Sequence, residues 1–395
     1  MYPLKWNTLA DWRQDVRTKR MVGALLMKSR LPSPFGYLQI IPLLEKVSMN
    51  KHLIVLSSIC TTLILGGCYQ ATEHRTLFVS DLATDSISTE LFLPESNGLN
   101  VFQSICTDDS FLYCLDYYNN DSILKIYPLT PYPTLSRFAT KGQGPNDLIF
   151  PAFSREVAQY GNPIKILDIS AWCINEIQYT PTAPEKMQFN KTPLPIVPTM
   201  EDFAETDSCI YGTDIDSQES LFFIYNKNNR KITHIGFWQD TEHLTQKYPK
   251  EAMPFLLSGP IMLHPTIGIC KGMTNMNSIF FYNLQGQLLK EVVIGTKRMW
   301  PQDGRQEFLD FPEDNKYTFC LTGTNQHLYV LYHAHPISAH KQHSKILQFD
   351  WNGNLLRNIQ TDKNLSRIAI TPDGTYIYAI ADTEEGGTDV VRLQL

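Results

Sequence analysis

The chain has 395 residues, of which 34 are Lys or Arg and 40 are Asp or Glu, so its formal net charge is −6 at pH 7. Residues 1–67 carry nine of the basic and three of the acidic side chains, which leaves 25 basic and 37 acidic side chains, a net charge of −12, on residues 68–395. Because nucleic-acid binding depends on neutralising phosphates with Lys and Arg, this composition excludes nucleic acid as the expected partner.

The first organised segment is 49–68, MNKHLIVLSSICTTLILGGC. A basic residue, Lys51, precedes an apolar run from Leu53 to Leu65, which is shorter than the ~20 residues that cross a bilayer. Leu65-Gly66-Gly67-Cys68 then closes the segment as a lipobox, typical of an export signal that is cut before a lipidated cysteine. A buried core helix would explain the apolar run but not the Gly-Gly-Cys that follows it. We therefore expect Cys68 to carry the lipid anchor.

This signal sets the domain boundaries. Residues 1–48 carry no export pattern, and we interpret them as an over-extended start with translation beginning at Met49; a genuine cytoplasmic tail is the alternative. Residues 49–67 are predicted to be the signal peptide and 68–75 a lipidated tether. Residues 76–395 are long enough for one large all-β domain. The expected location is the bacterial cell envelope, attached to the outer membrane and facing either the periplasm or the cell surface.

The cysteines give little support to metal or redox chemistry. Cys60 belongs to the predicted signal, and no pair has CxxC spacing, so neither structural zinc nor thioredoxin-like chemistry is indicated. Most of the others lie singly in apolar runs, where a free thiol behaves as a small hydrophobic side chain. A disulfide between Cys106 and Cys114, across a hairpin, is an alternative. The six cysteines left in the domain are Cys106, Cys114, Cys173, Cys209, Cys270 and Cys320.

A repeated hairpin indicates the fold. Residues 224–232, 281–289 and 348–356 each place an aromatic residue before Asn or Asp, with Asn or Gly four positions after the aromatic. Asn229, Gly286 and Gly353 then fall where the turn needs positive φ. The repeat spacing is that of whole blades, each of several strands, because single hairpins recur at shorter intervals.

Six such units are predicted, each with about four antiparallel strands, which is the pattern of a six-bladed β-propeller. The last unit ends after its third strand. An N-terminal strand, either Thr76 to Val79 or Ser88 to Phe92, is expected to supply the fourth and to join the first and last blades. The third strands are predicted to begin near Ile123, Ile174, Leu221, Ile279, Ile346 and Val390.

The segment between the first two units, KGQGPNDLIFP at 141–151, resembles the loop of TolB-like six-bladed β-propeller lipoproteins. The resemblance covers roughly residues 75–395 and rests on this loop, the lipobox and the number of blades. It implies a propeller in the cell envelope, and it implies no agreed catalytic residues. Gly142 and Gly144 allow a tight backbone path and Pro145 stiffens the entry to the next strand. A third glycine and a following helix are missing, so this is not a dinucleotide-binding motif.

Two sets of polar residues are candidate ligand or cation sites. Aspartates at equivalent strand ends could converge at one channel mouth and bind calcium, or each could cap its own turn. Four histidines within eleven residues could bind zinc, or could belong to a solvated insertion. The aspartates are Asp116, Asp168, Asp214 and Asp382, and the histidines are His333, His335, His340 and His343.

Long connections at 242–257 and 297–315 offer a third candidate site. Tyr248, Arg298 and Trp300 could form a surface that stacks on sugars or grips peptides, or they could pack down on the blade below.

No nucleophile or phosphate-binding motif is present, so no catalytic residue and no cofactor are predicted. The function expected is a lipid-anchored, non-catalytic binding or scaffold module for a protein or glycan. The alternative is a propeller hydrolase or lyase that acts on a sugar or lactone, with a divalent cation at the channel mouth.

Overall fold

The computed structural model describes residues 75–79, 83–94, 101–119, 121–130, 136–178, 188–217, 219–236, 248, 252–300, 315–336, 343–383 and 387–395. All of them lie in one unit that spans Thr72–Leu395. The predicted signal peptide and Cys68 lie outside the described residues.

The described chain begins with three short strands and continues as six small sheets. The first three strands are β1 (Arg75–Val79), β2 (Thr84–Ile87) and β3 (Glu90–Leu93). Blade 1 contains β4 (Ser104–Thr107), β5 (Phe111–Leu115), β6 (Leu124–Pro128) and β7 (Ser136–Phe138); blade 2 contains β8 (Pro151–Phe153), β9 (Lys165–Asp168), β10 (Cys173–Gln178) and β11 (Gln188–Pro193); blade 3 contains β12 (Met200–Glu205), β13 (Cys209–Asp214), β14 (Ser220–Asn226) and β15 (Lys231–Gly236).

The second half of the ring follows the same plan, except for one short helix, α1 (Met253–Leu256), ahead of blade 4. Blade 4 contains β16 (Ile261–His264), β17 (Gly268–Gly272), β18 (Ser278–Asn283) and β19 (Leu288–Ile294); blade 5 contains β20 (Asn315–Gly323), β21 (His327–Pro336), β22 (Lys345–Asp350) and β23 (Leu355–Thr361); blade 6 contains β24 (Leu365–Ile370), β25 (Tyr376–Asp382) and β26 (Thr388–Gln394).

These sheets form the predicted six-bladed β-propeller. Within each blade, successive strands pair antiparallel from the inner strand outwards. Each inner strand also contacts the inner strands of both neighbouring blades, so the ring closes around a central channel. The six third strands begin within a few residues of the predicted positions. Each begins within two residues of an Ile, Leu or Val that follows a turn, and this signal is why the sequence located them.

The hydrophobic core lies between blades. A cluster of buried side chains fills each of the six gaps between neighbouring blades. The gap between blades 6 and 1 is filled in the same way as the others, with Phe102 and Tyr127 on one side and Tyr378 and Ile380 on the other. A strand in this fold buries both faces, which explains why its residues are continuously apolar rather than alternating.

The N-terminal strands lie along the outside of three blades. Strand β1 pairs in parallel with β19 of blade 4, and β2 pairs in parallel with β23 of blade 5, so both blades gain a fifth strand. Strand β3 pairs antiparallel with β26 and is the outer strand of the last sheet. Thr76 to Val79 was one candidate for that outer position, and this candidate was wrong, because the segment extends blade 4 instead.

The repeated hairpins differ from the prediction at one residue. Gly286 and Gly353 have φ values of +80° and +72°, as expected for these turns. In blade 3 the positive φ falls on Arg230, at +56°, and not on Asn229. The side chain of Asn226 accepts hydrogen bonds from the N–H groups of Asn228 and Asn229, which moves the left-handed residue one position along the turn.

The ring has two distinct faces. The inner strands start beside the turns that join second and third strands: the Tyr317 N–H, at the start of β20, donates to the Thr274 carbonyl in the β17–β18 turn at 2.9 Å. We call the face that contains these ends the upper face. The opposite, lower face contains the turns between first and second strands and the hairpins between third and fourth strands.

Candidate binding surface

The upper face carries the longest connections of the described fold. The segments that join its strand ends include 139–150, 194–199, 237–260, 295–314 and 337–344. On the lower face the longest such segments are 154–164 and 179–187, of 11 and nine residues, against 24 residues for 237–260 and 20 for 295–314 on the upper face. Because long loops on a rigid scaffold commonly carry binding, this asymmetry directs attention to the upper face.

The loop at 141–151 forms a self-contained turn on that face. The Asp147 carboxylate accepts hydrogen bonds from the Thr140 hydroxyl and from the Gly144 N–H, the latter at 2.8 Å. These two bonds, the first above all, hold the pKa of Asp147 below its usual value. A Cβ at Gly142 would overlap Asp147 Oδ2. The loop therefore needs glycine because the carboxylate lies against its backbone.

Lys191 of blade 2 fixes this loop from the side. Its ammonium donates to the carbonyls of Gly144 and Asp147, at 3.1 and 3.3 Å. The loop is thus tied to the outer strand of the next blade, and its residues at 149–150 lead directly into β8. The loop therefore fixes the position of Phe150, the residue directly before β8, on the upper face.

A row of five half-buried or exposed apolar side chains crosses the upper ends of blades 1 to 3. Tyr118 is 58% exposed and Ile196 is 93% exposed. Exposed apolar side chains in a continuous patch are more informative than single ones. We call this set the upper-face row, and it consists of Tyr117, Tyr118, Phe150, Trp172 and Ile196.

Several contacts link members of the row through their rings and the neighbouring backbone. The rings of Tyr117 and Phe150 lie 5.4 Å apart, and the Tyr117 hydroxyl donates to the Pro151 carbonyl at 2.6 Å. The indole N–H of Trp172 donates to the Pro195 carbonyl at 3.1 Å, beside Ile196. The Asp168 carboxylate links the two pairs, because it accepts hydrogen bonds from the Phe150 N–H and from the N–H of Ala171, the residue before Trp172, each at 3.2 Å.

Trp172 occupies an unusual backbone conformation. Its φ is +54°, in the left-handed region that glycine or asparagine normally takes. A bulky side chain in this region costs about 1–2 kcal/mol relative to glycine. Strained residues of this kind cluster at functional sites. The turn therefore keeps an indole on the upper face where a glycine would fold more easily.

The central channel is blocked near its lower end. Residues 154–158, which follow β8, cross the channel and bond to three other blades. Arg155 N–H donates to the Phe203 carbonyl at 2.7 Å, Val157 N–H to the Leu263 carbonyl at 3.1 Å, and Ala158 N–H to the Gly323 carbonyl at 2.8 Å. We call residues 154–158 the channel insert. Backbone groups make these three bonds, and the side chains of Arg155 and Glu156 add bonds to Asp202 and to the Glu205 N–H.

The space left beside the channel insert is small. A cavity of about 60 Å³ lies among inner strands of blades 1, 2, 4, 5 and 6, enough for a few ordered waters. The charged groups around it are already paired. Arg155 Nε lies 2.9 Å from Asp202 Oδ1. The Glu205 carboxylate pairs with two lysines: Oε1 lies 3.0 Å from Lys165 Nζ, and Oε2 lies 2.8 Å from Lys227 Nζ.

The four predicted aspartates end equivalent second strands on the upper face. Asp116 is buried and accepts from Lys125 Nζ at 2.7 Å. Asp168 accepts from the backbone at the start of β8, and Asp214 accepts from Asp216 N–H at 3.0 Å. Asp382 is exposed. Each of the first three thus has partners within or beside its own blade.

The predicted histidines are only partly brought together. His333 and His335 stack with ring centroids 4.9 Å apart, because the strand bulges at Ala334, whose φ is +63°. His333 also stacks on Phe319, and its Nε2 lies 2.9 Å from the Leu365 carbonyl. Burial, and then His335, lower the pKa of His333 to about 4. His343 is exposed, and His340 lies outside the described residues.

In the part of the chain that the structure describes, no three or more His, Cys, Asp or Glu side chains are grouped to hold a metal ion. Cation binding at the aspartates or histidines stays a prediction.

The third predicted set packs on the upper end of blade 4. Tyr248 is buried in the cluster between blades 3 and 4, and Trp300 packs against the same cluster. Arg298 makes two bonds to the Glu291 carboxylate, at 2.6 and 2.9 Å, and its guanidinium lies 5.7 Å from the Trp300 ring. Arg298 and Trp300 therefore lie together, and Tyr248 lies beneath the surface. Sugar or peptide binding by this set stays a prediction.

The domain cysteines are free thiols. Cys106 pairs across the strands with Tyr113, and Ile105 pairs with Cys114. Successive side chains of a strand point to opposite faces, so Cys106 and Cys114 lie on opposite faces of blade 1 and cannot bridge.

Sequence reasoning missed the upper-face row. The sequence signal for the row is an apolar residue that falls in a connection or turn and not in a strand, as Ile196 does in the segment 194–198. Such residues are easily assigned to the core, and only the packing separates exposed from buried members.

No protein-family model matches the chain, and no curated protein matches it. Among solved structures, streptogramin B lyase aligns with 78% of this chain and 97% of its own at 14% identity and a TM-score of 0.41. Regucalcin from Agrobacterium tumefaciens, a calcium-binding protein, aligns with 79% and 95% at 10% identity and a TM-score of 0.40. The RRP9 WD40 repeats align with 78% and 100% at 8% identity and a TM-score of 0.41. Likenesses this distant carry no argument about function.

The described residues contain no helix that is long and apolar enough to cross a membrane.

Proposed function

We propose that this chain is a lipid-anchored β-propeller of the bacterial cell envelope, of the TolB-like kind, that binds a protein or glycan without transforming it. The lipobox that ends at Cys68 supports the anchor, and we propose attachment to the outer membrane. The loop at 141–151 supports the relationship to TolB-like lipoproteins. Its compact geometry, with Asp147 against Gly142 and Gly144, gives those residues a structural role.

The upper-face row is the observation that carries the proposal of binding. Aromatic side chains supply large contact area at low conformational entropy, and a partner that covers them removes apolar surface from water. The row runs over three blades and includes an indole held in a strained turn. Protein chains and sugar rings both present faces that stack on such a surface.

The channel supports the non-catalytic part of the proposal. An enzyme in this fold needs acids, bases or metal ligands that converge at one mouth of the channel. Here the channel insert occupies the lower end, and Arg155 and Asp202 pair with each other.

Photo-crosslinking in the intact envelope tests the proposal. A photoreactive amino acid replaces Tyr118 or Ile196, and a matched control carries it at Leu91, which is also exposed but lies on the outer strand of the last sheet. We expect a discrete protein or glycan adduct from the two row positions, absent from Leu91, and at least about tenfold weaker when Trp172→Ala is added.

Two results contradict the binding module: no adduct from either row position, or an adduct that forms equally from Leu91 and survives Trp172→Ala. Intact mass of the same protein tests the anchor, which requires an acylated N-terminal Cys68. Elemental analysis tests the alternative of a cation-dependent hydrolase or lyase, since that enzyme requires stoichiometric calcium or zinc.

A further inference from the structure

The point at which the chain enters the propeller has a defined place in the fold. Strand β1 runs parallel to β19, and Arg75 pairs with Lys290 near the start of that strand. Strand β19 follows the β18–β19 hairpin, which belongs to the lower face. The segment before Arg75 therefore joins the domain at the lower end of blade 4.

The length of that segment limits where the domain can lie. Seven peptide steps separate Cys68 from Arg75, a reach of at most about 25 Å when fully extended. A folded domain of this size has a diameter of about 50 Å. If Cys68 carries the lipid, which is part of the proposed function, the lower end of blade 4 lies within that reach of the bilayer.

Three exposed aliphatic side chains lie around this entry point. Ile267, Leu289 and Leu356 are 42%, 45% and 47% exposed. Ile267 precedes Gly268, which pairs with Asn283 at the start of the hairpin that leads to Leu289. All three residues thus lie at the lower ends of blades 4 and 5.

A side-chain contact brings the two blades together there. Lys290 Nζ donates to Asn354 Oδ1 at 2.9 Å and so joins the residue next to Leu289 to the hairpin that leads to Leu356. The two leucines occupy equivalent positions, since each is the residue skipped where the strand register shifts. We call Ile267, Leu289 and Leu356 the lower-face patch.

Blades 2 and 3 are polar at the corresponding place. In blade 3 the fourth strand begins Lys231-Ile232-Thr233 and exposes Lys231 and Thr233. In blade 2 it begins Gln188-Phe189-Asn190 and exposes Gln188 and Asn190. The fourth strand of blade 6 exposes Leu91 as its second residue, so exposed leucines at this place belong to the neighbouring blades 4, 5 and 6, and two of the three lie beside the entry of the tether.

We propose that the lower-face patch rests on the lipid surface and inserts its aliphatic side chains into the boundary between headgroups and acyl chains. Leu289 is followed by Lys290, and a cation beside an apolar side chain suits a phosphate-bearing interface; Arg357, which follows Leu356, pairs with Asp85 at 3.0 Å. A lipidated tether attaches the domain without fixing its direction, and the added apolar contact would fix its orientation. The result is a propeller that presents its upper face to the envelope space.

The test uses the full-length protein purified from membranes and returned to phospholipid vesicles that contain a photoactivatable phospholipid. Mass spectrometry then identifies the labelled peptides. We expect labels at 264–268, 283–290 and 350–357, and none at 116–119, 168–172 or 194–199. The double variant Leu289→Ser, Leu356→Ser is expected to reduce the lower-face labels about tenfold or more. The matched control Ile196→Ser, at an exposed upper-face residue, is expected to leave them unchanged.

Three outcomes overturn the proposal. Labels on the upper-face peptides, or spread over both faces, contradict the orientation. Acylated Cys68 with no label on the lower-face peptides contradicts the membrane contact and leaves the anchor intact. Cys68 without lipid removes the anchor, and the proposed function fails with it.

Discussion

The two faces of this propeller differ in how their turns are built. The lower face uses one hairpin repeatedly, with glycine at Gly286 and Gly353 and an Asn or Asp side chain that accepts from the turn N–H groups. The upper face repeats the aspartates but not their bonds: Asp116 bonds a lysine, Asp168 the backbone just ahead of β8 in its own blade, and Asp214 its own turn. Repetition thus marks the residues that build blades. The upper face, where we propose that a partner binds, departs from this repetition.

The largest expected loss of stability is at Asp116, on the upper face. Asp116→Ala leaves the Lys125 ammonium buried without its carboxylate, and we expect a loss of about 3–5 kcal/mol in the free energy of unfolding by urea titration. The matched control is Asp85→Ala, which breaks an exposed pair with Arg357 and is expected to cost less than about 1 kcal/mol. Adding Lys125→Met to Asp116→Ala is expected to restore most of the stability. Equal losses in the two single variants would contradict the buried-pair interpretation.

The next effect is the pH dependence set by His333. The folded pKa of about 4 lies below the usual 6.5, so the unfolded chain binds the proton first and the folded protein loses stability as pH falls from about 6.5 to 4. The loss reaches about 3 kcal/mol at pH 4. Above pH 6.5 this contribution is fully present.

The variant His333→Gln removes the titration and keeps a side chain that can donate to the Leu365 carbonyl. Its stability is expected to fall less than that of the natural protein over the same pH range, with His335 and Arg367, the ionisable groups that lower this pKa, left in place. Parallel curves for the two proteins would show that His333 does not titrate in this window.

A smaller effect is expected in the loop at 141–151. Gly142→Ala forces the Asp147 carboxylate to move and is expected to lower stability by about 1–3 kcal/mol in thermal or urea unfolding. The same change in an Asp147→Ala background is expected to cost much less, because the obstructing oxygens are gone. Gly236→Ala is the matched control, since its Cβ would meet nothing closer than 3.6 Å. A full penalty in the Asp147→Ala background contradicts the role given to the carboxylate.

The smallest effect concerns the lower-face hairpin of blade 3. Arg230→Gly places glycine where φ is positive, as in blades 4 and 5, and is expected to raise stability by about 0.5–1 kcal/mol. Arg230→Ala keeps the strain and is expected to give no gain. Urea midpoints of the two variants, measured side by side, decide between strain relief and simple loss of the arginine.

Sequence located the blades well because apolar runs separated by turn residues recur along the chain, as at 278–283. Asp168 behaves as a cap that binds backbone N–H groups, one of the two roles expected for it. Three features gave no local signal. Strands β1 and β2 add in parallel to the edges of distant blades, and a short alternating segment does not reveal its partner. The channel insert bonds to three other blades through backbone groups, and the side-chain partners of Arg155 and Glu156 lie 47 and 49 residues further along the chain. A tryptophan such as Trp172 is easily assigned to the core from sequence alone, and only its backbone conformation and partial exposure show that it lies on the upper face.

Hydrogen exchange of peptides from each face most directly tests the claim that the upper face binds a partner and the lower face contacts the lipid surface. The protein is compared in its own envelope membranes, in pure phospholipid vesicles and in detergent. The account predicts that peptides 116–119, 168–172 and 194–199 are protected only in the envelope, where the partner is present, while 283–290 and 350–357 are protected in the envelope and in vesicles alike. Upper-face peptides that exchange equally in all three conditions would contradict the claim that this face binds a partner.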